Sequence, residues 1–548
     1  MHRLGLVIAF AAATSLAAQT PAAPTFSRAD TLRGSNGPGR SWWDVDFYDL
    51  RVSVSPRDSS IRGSNAITYR VVRPAKEMQI DLQVPMQLDS VVQDGRSLQF
   101  RRDSNAFFVS LVAPQPAGTK KTVTAYFRGR PRAAVNPPWD GGYIWRTDSL
   151  GNRWVATANE GLGASVWWPN KDYGGDEPDS QRVAVTVPSE MTDISNGRLR
   201  NTTKNDDGTT TFTWFVAEPI NNYSISVNAG SYAHFSDTYK GERGDLTLDY
   251  YPLAYHLDTA KVQFRQAIPM MKCFEHWFGP YPWYKDGYKL IEAPHLGMEH
   301  QSAVAYGNAY KNGYRGRDLS GTGHGMKWDF IIIHETAHEW WGNNISMRDA
   351  ADMWIHESFA NYAEGIYTEC QEGKQAGAEY IIGSRRNIQN DSPIIGKYGV
   401  NHEGSGDMYY KGGSMLHTMR QLVDNDEKWR RLLRGLSSTF WHQTVTTAQI
   451  ESYMSRTAGV DFSKIFDQYL RTTMIPTLEY RVEGEKLSYR WTNVVKGFAM
   501  PVRVTVGQGK AEWIRPTEAW KPYPSAVAST DSLKVDPSFY VIVKAPTP

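Results

Sequence analysis

From about residue 41 to residue 240, apolar positions recur at every second residue. Tyr48, Leu50, Val52 and Val54 alternate with Asp49, Arg51 and Ser53, which turns one face of a strand inward. Similar stretches follow, separated by Gly, Asn, Asp and Pro turns. Near residue 250 the period changes, and residues 258–278 and 326–475 read as largely helical. In the last of these helices Phe462, Ile465, Phe466, Tyr469 and Leu470 form one apolar stripe, and Pro476 closes the region. Alternation then returns with Leu487, Tyr489 and Trp491 around Ser488 and Arg490, and with Val502, Val504 and Val506. The pattern predicts an α+β multidomain chain: an N-terminal β domain at 41–240, a mostly helical domain at 241–475 and a small C-terminal β domain at 476–548.

A chain of 548 residues is too long for one hydrophobic core. With 41% hydrophobic and 22% charged residues it has the balance of an ordinary globular protein. The 60 basic and 58 acidic residues leave a net charge of +2 with no basic stripe, which argues against a nucleic-acid partner. Trp42-Trp43, Trp167-Trp168 and Trp340-Trp341 are expected in cores. Cys273 and Cys370 are too few for a disulfide framework or a cysteine zinc site; two buried thiols and one bridge both fit the sequence. At the start, Arg3 precedes an apolar, Ala-rich run over residues 4–16, followed by Ala17 and Ala18. This order predicts an export signal at 1–18, a flexible tail at 19–40 rich in Pro, Ala, Ser and Gly, and a periplasmic or secreted location. The run is too short to span a bilayer, and no later segment is apolar enough to do so.

The chemistry concentrates at His334-Glu335-Thr336-Ala337-His338. The apolar run Phe330–Ile333 before it and Gly342 after it predict a helix, which puts both imidazoles on one face, able to meet one ion. A catalytic zinc takes three protein ligands. Glu357 follows His338 with eighteen residues between them, in a second helical pattern that starts near Asp352. HExxH arises by chance in about one such chain in a hundred, and the later Glu lowers that by roughly another factor of twenty. His334, His338 and Glu357 are therefore the expected Zn²⁺ ligands, one ion per chain, with His356 as a rival ligand. Glu335, beside the first ligand, is the expected base toward the attacking water.

At this point the sequence resembles the M1 family of zinc aminopeptidases, whose signature is HExxH-x18-E. Gly297-Met298-Glu299-His300 is similar to the family's G-x-M-E-N, with His300 in place of Asn. The resemblance implies that Glu299 grips the free α-amino group of a peptide, with Gly297 and Met298 beside it. Thr157-Ala158-Asn159-Glu160, followed by Ala164, Trp168-Pro169 and Asp176-Glu177-Pro178, resembles a second family segment and makes Glu160 a second amine-binding acid. Tyr409-Tyr410-Lys411-Gly412 resembles Y-x-K-G, which makes Tyr409 the oxyanion donor and Tyr410 its rival. Glu339 and His356 depart from the residues common in the family and are expected to tune the zinc ligands from behind.

The family fold implies a thermolysin-like catalytic domain and a C-terminal β-sandwich-like domain. The helical domain that roofs long members has no counterpart among the last residues, so the cleft is expected either to be more open or to be covered by a second subunit of a homo-oligomer. The implied function is a zinc-dependent aminopeptidase acting on peptides with a free N-terminus, with a zinc endopeptidase and a non-catalytic peptide-binding relative as alternatives.

Overall fold

The computed structural model describes residues 25–528 and 532–545. The export signal expected at 1–18 lies outside them. Part of the expected flexible tail is instead a helix, Arg28–Gly34, opened by a capping box in which Ser27 and Asp30 satisfy each other's backbone N–H groups. Composition hid this signal, which is Ser27 followed three residues later by an acid. The helix docks firmly. The Arg33 guanidinium donates to the Gly161 carbonyl at 2.5 Å, and Gly34 lies so close to Val400 and Asn401 that a Cβ there would fall 2.1 Å from the Asn401 nitrogen.

The N-terminal domain is β apart from two short helical turns, Ala164–Val166 and Asn222–Ser224. Trp43–Ser55 pairs antiparallel with Ser60–Val71 and parallel with Ser180–Pro188 at the centre of a ten-stranded sheet. Tyr48, Leu50, Val52 and Val54 are buried in alternation, and all three Trp pairs are buried. A smaller four-stranded sheet contains Arg153–Ala158, whose end delivers Asn159 and Glu160 toward the helical domain.

The expected boundary at 240 cuts through a hairpin. Phe235–Gly241 and Gly244–Tyr251 pair with each other, and the second runs parallel to Tyr288–Glu292. Both belong to a five-stranded sheet of the catalytic domain, completed by Val304–Tyr306 and the edge strand Gly297–Met298. Most of these strands are too short to leave a legible alternation, which is why the region reads as mostly helical.

Against this sheet lies the helix Phe330–Ala337, started by Asp329, whose carboxylate accepts from the N–H groups of Ile331 and Ile332. The Tyr306 hydroxyl donates to the same carboxylate at 2.7 Å, tying helix start to sheet. The helix Trp354–Glu372 is buried on every side from Trp354 to Thr368 and forms the axis of the domain. Tyr410–Val423 packs on it at Gly412, where a Cβ would lie 1.9 Å from the Ser358 hydroxyl oxygen. The buried Lys411 ammonium donates to the Thr472 carbonyl at 2.8 Å and anchors the start of that helix. Beyond Pro476, a four-stranded and a three-stranded sheet share one continuous core with the helical domain.

Cys273 and Cys370 form a disulfide across 97 residues, joining the helix Ala267–Phe278 to the end of the axial helix. A crosslink over so long a loop removes freedom from the unfolded chain and is worth ~2–4 kcal/mol. The Cys273→Ser/Cys370→Ser double variant is expected to unfold at clearly lower urea; an unchanged midpoint would show that the bridge adds nothing.

Candidate active site

Both halves of the HExxH helix and the axial helix converge at one point. The Nε2 atoms of His334 and His338 lie 3.4 Å apart, and each lies 3.5 Å from Glu357 Oε2. A tetrahedral set of ligands ~2.0–2.1 Å from an ion places its donors ~3.3–3.4 Å apart. The triangle therefore has the size of one face of a zinc site. Glu357 Oε2 is buried without a hydrogen-bond donor, as a ligand atom should be. Burial pushes the Glu357 carboxyl up, but the two imidazoles overrule it and hold it well below the usual range. The donor set of two imidazoles and one carboxylate suits Zn²⁺ with an open fourth position.

The outer nitrogens fix the tautomers. His334 Nδ1 donates to Glu364 Oε1 at 2.8 Å, and His338 Nδ1 to the Trp341 carbonyl at 2.9 Å, which leaves both Nε2 lone pairs free to bind an ion. Glu364 is itself held by Tyr380 Oη at 2.7 Å and Asn361 Nδ2 at 3.1 Å. Sequence reasoning missed Glu364, although it lies seven residues past Glu357 and so on the same helix face.

His356 and Glu339, expected behind the ligands, act elsewhere. His356 Nε2 accepts the Met347 N–H at 2.9 Å, which places the ring proton on Nδ1 and leaves no lone pair for a metal. Its rivalry with Glu357 as a ligand ends there. An imidazole nitrogen of His356 comes within 4.8 Å of carboxylate oxygens of Glu160 and Glu299, but the used lone pair makes this trio an acid pocket with a neighbouring N–H rather than a second metal centre. Glu339 accepts from the Ser302 N–H at 2.8 Å and from Asn343, whose amide also donates to the Glu299 carbonyl at 2.8 Å. It braces the Glu299 strand, not the metal.

Glu335 does not join the triangle. It faces a cleft of about 540 Å³ that also exposes Glu160, Gly297, Met298, Glu299 and Tyr409. Burial pushes its carboxyl up to about 7, against the pull of His334 and with the help of Glu299. Gly297 is required beside it, because a Cβ there would meet Glu335 Oε1 at 2.7 Å. Glu299 is 2% exposed and accepts from the Tyr223 hydroxyl at 3.1 Å. Burial, then Glu299 and Glu357, raise the Glu160 carboxyl well above its usual range: two acids share one pocket and await a cation. Tyr409 sits at the start of Tyr410–Val423, with its ring 6.0 Å from that of His334. Burial, with Glu357 next, keeps its hydroxyl protonated. Tyr410, the rival, lies instead beside Glu364 and Tyr314. The structure thus gathers every site residue expected from sequence around one cleft.

The fold and this site define a metallopeptidase-type catalytic domain with an HExxH helix and a glutamate on the following helix. Residues 262–469 match the Peptidase family M1 domain. It is 19% identical over 465 residues to the probable aminopeptidase 2 of Sulfurisphaera tokodaii, covering 81% of this chain and 55% of that protein. It is 25% identical over 171 residues to the aminopeptidase N of Lactococcus lactis, covering 29% of this chain and 20% of that one. The chain thus spans about half the length of the first relative and a fifth of the second. Among solved structures, a variant of an M1 zinc metallopeptidase from Deinococcus radiodurans, bound to a Tyr-Ser-Ala substrate, shares the fold with a TM-score of 0.68 at 20% identity, covering 81% of this chain and 98% of that one.

Proposed function

We propose that this protein is a zinc-dependent aminopeptidase that hydrolyses the first peptide bond of peptides with a free N-terminus. One observation carries the reading: an acid pair, Glu160 and Glu299, opens into the same cleft as the His334–His338–Glu357 triangle and Glu335. A peptide's α-ammonium paired with both carboxylates leaves room for one residue before the scissile carbonyl, so the chain end sets the cut. Zinc held by the triangle would polarise that carbonyl and lower the pKa of a water to about 7. Glu335 takes the proton of the attacking water and returns it to the departing amine as the C–N bond breaks. The Tyr409 hydroxyl donates to the carbonyl oxygen as it gains charge, a contact worth ~3–4 kcal/mol in comparable sites.

An endopeptidase would have no use for two acids, one buried and one half-buried, that await a cation. Acetylating the N-terminus of a peptide removes the ammonium they pair with. Hydrolysis is expected to fall at least a hundredfold on acetylation; equal cleavage of capped and free peptides would decide for the endopeptidase.

Export to an oxidising compartment is part of the same proposal. The pattern of residues 1–18 supports it, and so does the Cys273–Cys370 bridge, since structural disulfides persist mainly outside the cytosol. Among the described residues, no helix is long and apolar enough to cross a membrane.

A further inference from the structure

Beside the acid pair the cleft continues into a second chamber of about 380 Å³. The two share Trp139, Glu160, Gly161, Met353 and Glu403. Glu403 has no part in the mechanism above, and its surroundings are unusual. The residue is exposed and lines both chambers, and among the described residues it makes no hydrogen bond and no ion pair. It sits next to the amine site, because a Cβ on Gly161, the neighbour of Glu160, would lie 3.8 Å from Glu403 Oε2. Among the described residues, no lysine or arginine lines the main cleft. The second chamber holds Arg33 and Arg348, but neither reaches Glu403 to pair with it. Arg33 is turned to the Gly161 carbonyl and feels Asp172 as its strongest neighbouring charge.

The loop that carries this carboxylate is held in place by the N-terminal helix, since Gly34 abuts Asn401, the Asn401 amide donates to the Gly161 carbonyl at 3.1 Å, and Phe26 packs edge-on against His402 with centroids 5.3 Å apart. Trp139, 58% exposed, lines both chambers next to it, and an indole face attracts cations. Arg315 already stacks on that ring at 5.5 Å without lining either chamber. The apolar parts of the wall, such as Met353, suit the methylene stem of a long basic side chain, and the carboxylate suits its head. Crowding by protein, then Glu357, pushes the Glu403 carboxyl up, and Arg33 offsets part of that; a cation delivered by a substrate would relieve the rest.

Resting on the aminopeptidase reading, we propose that Glu403 makes this enzyme prefer peptides whose first residue is lysine or arginine. A charge-assisted contact of this kind changes selectivity by about tenfold or more. The test compares kcat/KM on lysyl-, arginyl-, leucyl- and glutamyl-aminomethylcoumarin for the wild type and for Glu403→Gln and Glu403→Lys. The wild type is expected to favour lysyl and arginyl substrates over leucyl. Glu403→Gln should lower the lysyl-to-leucyl ratio about tenfold, and Glu403→Lys should shift preference toward glutamyl. Competition with the wild type gives a readout free of folding effects: L-arginine should inhibit more strongly than L-norleucine. An unchanged ratio in Glu403→Gln, or equal inhibition by the two amino acids, overturns the assignment and leaves the aminopeptidase standing. Hydrolysis of none of the four substrates by the zinc-loaded wild type overturns both.

Discussion

Glu335→Gln is expected to lose ~10²–10⁴ in kcat while keeping its metal and its fold. The amide has the shape of the carboxylate but cannot take the proton of the attacking water. Zinc retention follows from the geometry: the triangle is made by His334, His338 and Glu357, and Glu335 stands outside it, facing the cleft. The fold is expected to be as stable or more so. Burial is what chiefly pushes the Glu335 carboxyl up, with Glu299 and Glu357 adding to it and His334 and His338 pulling the other way, so a neutral residue removes the cost of burying a charge there. KM for a small aminoacyl substrate should change little, because the amine is held by Glu160 and Glu299. Steady-state kinetics on metal-loaded protein, with zinc counted by atomic absorption, checks all three parts. Normal turnover in a variant that holds zinc would move the role of base to another group.

How the sequence came to show so much of this site is a matter of range. His334 and His338 are one helical turn apart, so local geometry brings them together whatever the rest of the fold does. Glu357 follows His338 with eighteen residues between, still within one helix pair. The outer partners split by the same rule. Glu364 was legible in principle, because two turns along a buried helix return to the same face, yet an acid in a helix reads first as a surface residue. The Trp341 carbonyl that fixes His338 leaves no sequence signal, since it is backbone. Glu403 was illegible for another reason. It reaches the amine site only because a loop of the helical domain, the Gly161 turn of the β domain and the helix Arg28–Gly34 meet there. Each of those three segments reads as plain loop or tail by composition. The five-stranded sheet behind the site was lost for the opposite reason: most of its strands are short and buried on both faces, and such strands show no alternation.

Glu357→Ala is expected to strip the metal from the protein and with it the activity, and the size of that loss can be ranked. Deleting an outer partner such as Glu364 costs ~10–100-fold in metal affinity, because the imidazole keeps its lone pair but loses its orientation and some basicity. Deleting Glu357 removes a ligand and the only negative charge in the triangle, leaving two imidazoles that cannot hold zinc in a closed coordination shell. The nearby acids Glu335, Glu299 and Glu160 face the same cleft but stand outside the triangle, so they do not replace the lost ligand bond. Zinc titration against a fluorescent chelator should therefore place Glu364→Gln between the wild type and Glu357→Ala, with the last retaining no zinc after dialysis. His356→Gln offers the control, since that ring has spent its lone pair on the Met347 N–H and its loss should leave zinc affinity near wild type. A Glu357→Ala protein that still binds one zinc tightly, or a His356→Gln protein that does not, would mean that the metal is held by a different set of atoms, and the acid pair, the base and the oxyanion donor would all have to be placed again around it.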